Sequence, residues 1–110
     1  MLEKARRRYI LAKIDCPKPP HEKDFQNALL SSIIRLFGEY GASQADVSLI
    51  EYNYNRRYAI VRCSHKALPM VRAAMATVNR IGSYEAAIHV LLVSGTLRAL
   101  RRWMPAILGE

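Results

Sequence analysis

Two cysteines, Cys16 and Cys63, are all that the 110 residues hold, too few for a disulfide framework. Reduced thiols and an intracellular, cytoplasmic setting follow from that scarcity. By number, Cys16, Cys63, His21 and His65 would make four zinc ligands, but neither cysteine has the close second cysteine that structural zinc sites use, and no metal is expected on the protein. Glycine occurs five times and forms no glycine-rich loop able to cradle a phosphate. No apolar run approaches the roughly 20 residues of a membrane span. In the opening MLEKARRRYILAKID, Lys13 and Asp15 interrupt the apolar stretch too early for a signal peptide. Asp46, Glu51 and Glu85 fall on different elements, so no carboxylate cluster is offered to Mg2+. Repeats, low-complexity tracts and linkers are absent as well, and residues 1–110 read as one domain whose first seven residues fray.

What the chain has in surplus is positive charge. Seventeen Lys and Arg stand against nine Asp and Glu, a net charge of +8, and twelve of the seventeen are arginine. The pI is near 9.9. Guanidinium groups match phosphate geometry and stack on bases, which favours an RNA partner over mere solubility. The stretch YNYNRRYAIVRC (52–63) adds rings to cations on one hairpin, with Arg56, Arg57 and Arg62 as candidate RNA contacts.

The order of elements gives the fold. RYILAKID (8–15) has the content of a strand, and CPKPP forces an irregular connection after it. A helix follows, with Phe25, Leu29, Ser32, Ile33, Leu36 and Phe37 on its apolar face and Gly38 or Gly41 at its end. ADVSLIEYNY and RRYAIVRC read as two strands turning at Asn55, a residue that tolerates positive φ. Ser64 is placed to cap a second helix carrying Leu68, Val71, Met75 and Val78, with Pro69 in its first turn. SYEAAIHVLLV (83–93) is a long strand, apolar on both faces toward its end, and SGTLRALRRWMPAILG is a last amphipathic helix that Pro105 should stop. The order predicts an α+β fold, a ferredoxin-like, RRM-like β-α-β-β-α-β sandwich with an added C-terminal helix.

That fold allows residues 56–63 to be laid on the RNA-recognition octapeptide, where only Tyr58 supplies a stacking ring. The arginines are therefore assigned to RNA and most tyrosines to structure. The same register puts Tyr58, Ile60 and Arg62 beside Tyr9, Leu11 and Lys13 on the sheet face opposite the two internal helices. A Leu11–Ile60 stripe is too apolar to stay wet. Either the last helix covers it through Leu97, Leu100 and Met104, or a partner protein or second copy does, which makes Leu11, Ile60, Leu97 and Leu100 candidate partner contacts. Arg98, Arg101 and Arg102 form one ridge on that helix with no acidic residue beside them, and Arg6, Arg7 and Arg8 form a second basic run; both are candidate phosphate contacts.

RLFGEYG, LIEY and YAIVRCSHK, followed by VRAA, resemble the Pop-five family of archaeal and eukaryotic ribonuclease P small subunits, over about Arg8 to Arg102. The resemblance implies a protein cofactor of a ribozyme that removes 5′ leaders from precursor tRNA, with catalysis and Mg2+ on the RNA. It also implies work beside a TIM-barrel-like subunit, further assembly through a second copy, and RNA contact at Arg56, Arg57, Arg62, His65 and Lys66. The short tail after Trp103 departs from longer family members. Two other classes stay open: a generic RRM-like RNA-binding module, and a small acylphosphatase-like enzyme with Arg57 and Asn53 in the working positions.

Overall fold

The computed structural model describes residues 6–109; the expected fraying of residues 1–5 lies outside the described residues. Arg7 does not fray. It opens strand β1 (Arg7–Asp15), whose alternating pattern places Ile10, Ala12 and Ile14 on one face and Leu11 on the other. After the proline-rich connection, helix α1 (Glu22–Ala45) starts with Glu22 and Asp24 in its first turn, where carboxylates suit the helix dipole. Strands β2 (Ser48–Asn53) and β3 (Tyr58–Ser64) form a hairpin, and a 3-10 turn leads into α2 (Leu68–Thr77). Two short strands, β4 (Arg80–Ile81) and β5 (Tyr84–Glu85), precede the long strand β6 (Ala87–Ser94) and helix α3 (Leu97–Leu108).

The main sheet runs in the order β2-β3-β1-β6 with every neighbour antiparallel. This is the expected α+β, ferredoxin-like arrangement. Phe25, Leu29 and Ile33 of α1 and Val71, Ala74 and Met75 of α2 close one face over Ile10, Ile14 and Val61. Leu11 pairs with Ile60, Tyr9 with Arg62 and Lys13 with Tyr58, all on the one face expected from the sequence. On that second face α3 lies over the stripe, with Leu100 and Met104 packed on Leu11, Tyr58 and Ile60. Leu11, Ile60 and Leu100 are fully buried by the chain itself, so these three are not an open partner surface, and Leu97 packs beside them half-buried. The reason is the helix's own amphipathicity: its apolar stripe has the same need for cover as the sheet face.

Six local expectations differ from the structure. Helix α1 does not end at Gly38 or Gly41; Gly38 breaks it with φ 76°, a left-handed value glycine adopts readily, and a further helical segment reaches Ala45. Leu36 and Phe37, expected in the core, are 43% and 39% exposed around that break. The positive φ of the β2–β3 turn falls on Arg57 (57°), not Asn55. Ser64 caps no helix; its hydroxyl donates to the Gln44 carbonyl at 3.1 Å, joining the end of β3 to the end of α1. Strand 83–93 is divided, because Tyr84 and Glu85 turn back at Gly82 to pair with β4 before β6 joins the main sheet. Nor does Pro105 stop α3: Met104 and Leu108, both packed on the sheet cluster, hold the backbone helical on either side of it, and Gly109 ends it.

Candidate nucleic-acid interface

Antiparallel pairing brings the start of β1 to the end of β3 and the end of β6. Arg7 lies opposite Ser64, Arg8 opposite Cys63, and Tyr9 opposite both Arg62 and Ser94. The Arg6 carbonyl accepts the His65 amide at 2.9 Å, which holds Arg6 beside His65 and Lys66. Gly95 then lets the Arg8 guanidinium rest against the backbone, since a methyl group there would sit 2.6 Å from Arg8 Nη1. Thr96 caps α3 by accepting the Ala99 amide at 3.1 Å, so Arg98 stands in the first turn at this same end. Tertiary structure thus gathers Arg6, Arg7, Arg8, Arg62, His65, Lys66 and Arg98 from three separate parts of the sequence.

These residues are not equivalent. Arg7 is ion-paired with Asp46 at 2.6 Å. Arg62 reaches Ser48 Oγ at 3.4 Å. Among the described residues, no ion pair engages Arg6, Arg8, Lys66 or Arg98. The two buried side-chain nitrogens without a hydrogen-bond partner among the described residues, Arg62 Nε and His65 Nδ1, also fall at this end. Unsatisfied buried polar atoms are uncommon in folded chains and concentrate where function tolerates their cost.

Arg56 and Arg57 lie at the opposite end of β3, about 20 Å away at ~3.3 Å per residue. Arg57 is built into the fold: its guanidinium donates to the Cys16 carbonyl at 2.5 Å and the Pro17 carbonyl at 3.5 Å, and its own carbonyl accepts the Ile14 amide at 2.8 Å. Asn53 Oδ1 accepts the Arg56 amide at 2.8 Å. Asn53 and Arg57 therefore both take part in shaping the turn. The cleft beside this end, bounded by Asp15, Arg80 and Glu85, mixes both signs of charge.

On α3, Arg98 and Arg102 are exposed, but Arg101 donates to Glu51 Oε1 at 2.9 Å. Glu51 also accepts the Tyr58 hydroxyl at 2.7 Å. This carboxylate, seen in the sequence only as an isolated acid, ties two strands to the helix above them; fifty residues separate it from Arg101, and no local pattern announces the pair. The Tyr58 hydrogen bond, followed by Arg101 acting against partial burial, holds the Glu51 carboxyl below its ordinary range. The same bond raises the Tyr58 hydroxyl. Buried beneath α3, Tyr58 has no face for a base. Burial pushes Tyr52, whose hydroxyl donates to the Pro20 carbonyl, up to about 12. Tyr54 stacks on His21.

The Glu51 contacts make the stability of the fold depend on pH. Because the folded pKa of Glu51 is depressed, the stabilisation is present above the unfolded value of roughly 4.3 and is lost as pH falls through the folded value. Tyr58→Phe removes the hydroxyl and keeps the ring. It is expected to lower stability by about 1 kcal/mol near neutral pH, to shrink the difference below pH ~4, and to leave RNA affinity unchanged. Urea unfolding between pH 3 and 7 with RNA titration at pH 7 checks both; for Tyr58→Ala, which removes the ring, a loss of ~1 to 3 kcal/mol in RNA binding by a folded variant would restore a stacking role.

The sequence pattern of the Rpp14/Pop5 family matches residues 8–105. Ribonuclease P protein component 2 of Methanosarcina mazei is 30% identical over 95 residues, spanning 86% of this chain and 80% of its own. The protein of the same name from Pyrococcus furiosus is 29% identical over 97 residues, 88% of this chain and 81% of its own. Among solved structures, a chain of the cryo-EM structure of yeast ribonuclease MRP superposes with a TM-score of 0.70 at 13% identity, covering all of this chain and 94% of that one, a likeness of fold.

Proposed function

This chain belongs to the Rpp14/Pop5 family of ribonuclease P protein components, and from that premise we propose that it binds ribonuclease P RNA and assists it in removing 5′ leaders from precursor tRNA. The observation that carries the RNA contact is the gathering of Arg6, Arg8, Lys66 and Arg98, free of ion pairs among the described residues, at one end of the sheet. Phosphates are the acceptors such a cluster fits, and base stacking has little part, because the one ring of the recognition octapeptide is covered. Catalysis and Mg2+ belong, in this reading, to the RNA. The protein partner is a TIM-barrel-like subunit, a second copy of this chain being the alternative, and the setting is the cytoplasm. No described helix is long and apolar enough to cross a membrane.

Cleavage of precursor tRNA, measured with the chain alone, with ribonuclease P RNA alone and with both, tests the reading. The chain alone is expected to be inactive and the mixture faster than the RNA. Cleavage by the chain alone, or no change on adding it to the RNA, would count against it. The helix ridge contributes less than three arginines would, since Arg101 is engaged by Glu51. Arg98→Ala with Arg102→Ala is expected to flatten the slope of log affinity against log salt by up to about 1.4 to 1.8, two contacts at roughly 0.7 to 0.9 each.

A further inference from the structure

The surface farthest from these charges in character lies along the other edge of the α1 layer. Leu30, Ile34 and Phe37 recur at helical spacing and are 49%, 38% and 39% exposed, too apolar a row to be an ordinary solvated helix face. Beneath Leu30 a groove of about 270 Å³ opens between α1 and β2, with Ile33, Val47 and Leu49 among its walls. Strand β2 is the edge of the main sheet, so the backbone groups on its outer side have no neighbouring strand. None of the nine residues lining the groove carries a charge, on a chain with a net charge of +8.

We propose that an extended segment of the protein partner adds as a fifth strand along the free edge of β2, with alternate apolar side chains seated in the groove below Leu30. The proposal rests on the protein-partner reading above and specifies its surface. Two observations choose the occupant and a third chooses the edge. An open edge beside an apolar groove offers what an added strand needs: backbone hydrogen bonds for affinity and pockets at every second residue for specificity. RNA does not fit, because a phosphate chain along this edge would meet no cation of the lining. The sheet's other edge, β6, is the weaker site, since its apolar side chains are not among the exposed ones and α2 and α3 pack against it.

The test uses the full chain and the TIM-barrel-like subunit as probe. Leu30→Gln with Ile34→Gln changes two exposed positions without altering charge, so the fold and any RNA contact through phosphates are retained. The double variant is expected to bind the subunit at least about tenfold more weakly, a loss of ~1.4 kcal/mol, with RNA affinity unchanged. In the complex with the unmodified chain, amides of Ser48–Asn53 are expected to exchange with solvent at least about tenfold more slowly than in the free chain. Should the variant fail to fold, the exchange measurement decides alone. Equal subunit affinity, or β2 amides that exchange as fast bound as free, overturns the proposal. So does a loss confined to RNA binding, which would make this an RNA surface, or self-association of the chain alone that protects β2 and disappears in the variant, which would make it a contact between copies. If the unmodified chain forms no complex with the subunit, the partnership itself is wrong; a complex indifferent to both changes overturns only its location.

Discussion

Leu100→Ala is expected to cost about 2 to 5 kcal/mol of folding stability and roughly 10 to 25 °C in melting temperature, the largest single-residue effect outside the helix-covered core. Leu100 is fully buried and sits where α3 crosses Leu11, Tyr58 and Ile60. Truncating it removes three carbons from that contact and leaves a cavity that two paired strands cannot collapse to fill. Loss of the contact also loosens the Arg101–Glu51–Tyr58 tie, because its geometry depends on the helix staying down. Trp103, 59% exposed one turn away, is the control: Trp103→Ala should change stability by less than about 0.5 kcal/mol. Urea and thermal unfolding of the two variants give the comparison. A loss below about 1 kcal/mol for Leu100→Ala would mean that α3 does not rest on the sheet in solution.

The second large effect is expected at the basic end. Replacing Arg6, Arg8, Lys66 and Arg98 together by alanine should flatten the salt slope of RNA binding by about 2.8 to 3.6, four contacts at roughly 0.7 to 0.9 each. Affinity for unrelated RNAs should fall in parallel, since phosphate contacts carry little sequence information. The four side chains bury no apolar core, and the backbone bond from His65 to Arg6 survives the change, so the variant should fold. Arg56→Ala at the far end of β3 separates the alternatives. If the slope responds to Arg56 and not to the quadruple change, the RNA lies along the β2–β3 turn instead.

Much of the fold was legible because the relevant signals are local. Alternation in β1 and β3 assigns Ile10, Ala12, Ile14, Ala59 and Val61 to one face and Leu11 and Ile60 to the other, and the two core clusters divide these residues in the same way. Boundaries were less legible where a residue has two possible uses. Gly38 reads as a stop, yet the chain resumes the helix beyond it. Pro105 reads as a stop, yet packing at Met104 and Leu108 overrides the missing amide hydrogen. Ser64 reads as a cap, yet the Gln44 carbonyl is the partner it finds.

The candidate site was legible as composition and not as a place. An arginine-rich surplus, the hairpin cations and the family resemblance all lie in the sequence, and so does the need of the Leu11–Ile60 stripe for a cover. The sequence by itself determined the order of the main-sheet strands and the helices, the faces of β1 and β3 and the sign of the chain's own charge, because periodicity and charge are properties of neighbouring residues. Only the tertiary structure decided that α3 is the cover and that Arg7, Arg57 and Arg101 are tied within the chain. It likewise decided that Arg6, Arg8, Lys66 and Arg98 meet at one end while an uncharged edge stays open at β2. Those outcomes depend on contacts between residues tens of positions apart, whose partners are chosen by the closing of the sheet and not by anything a local stretch can encode.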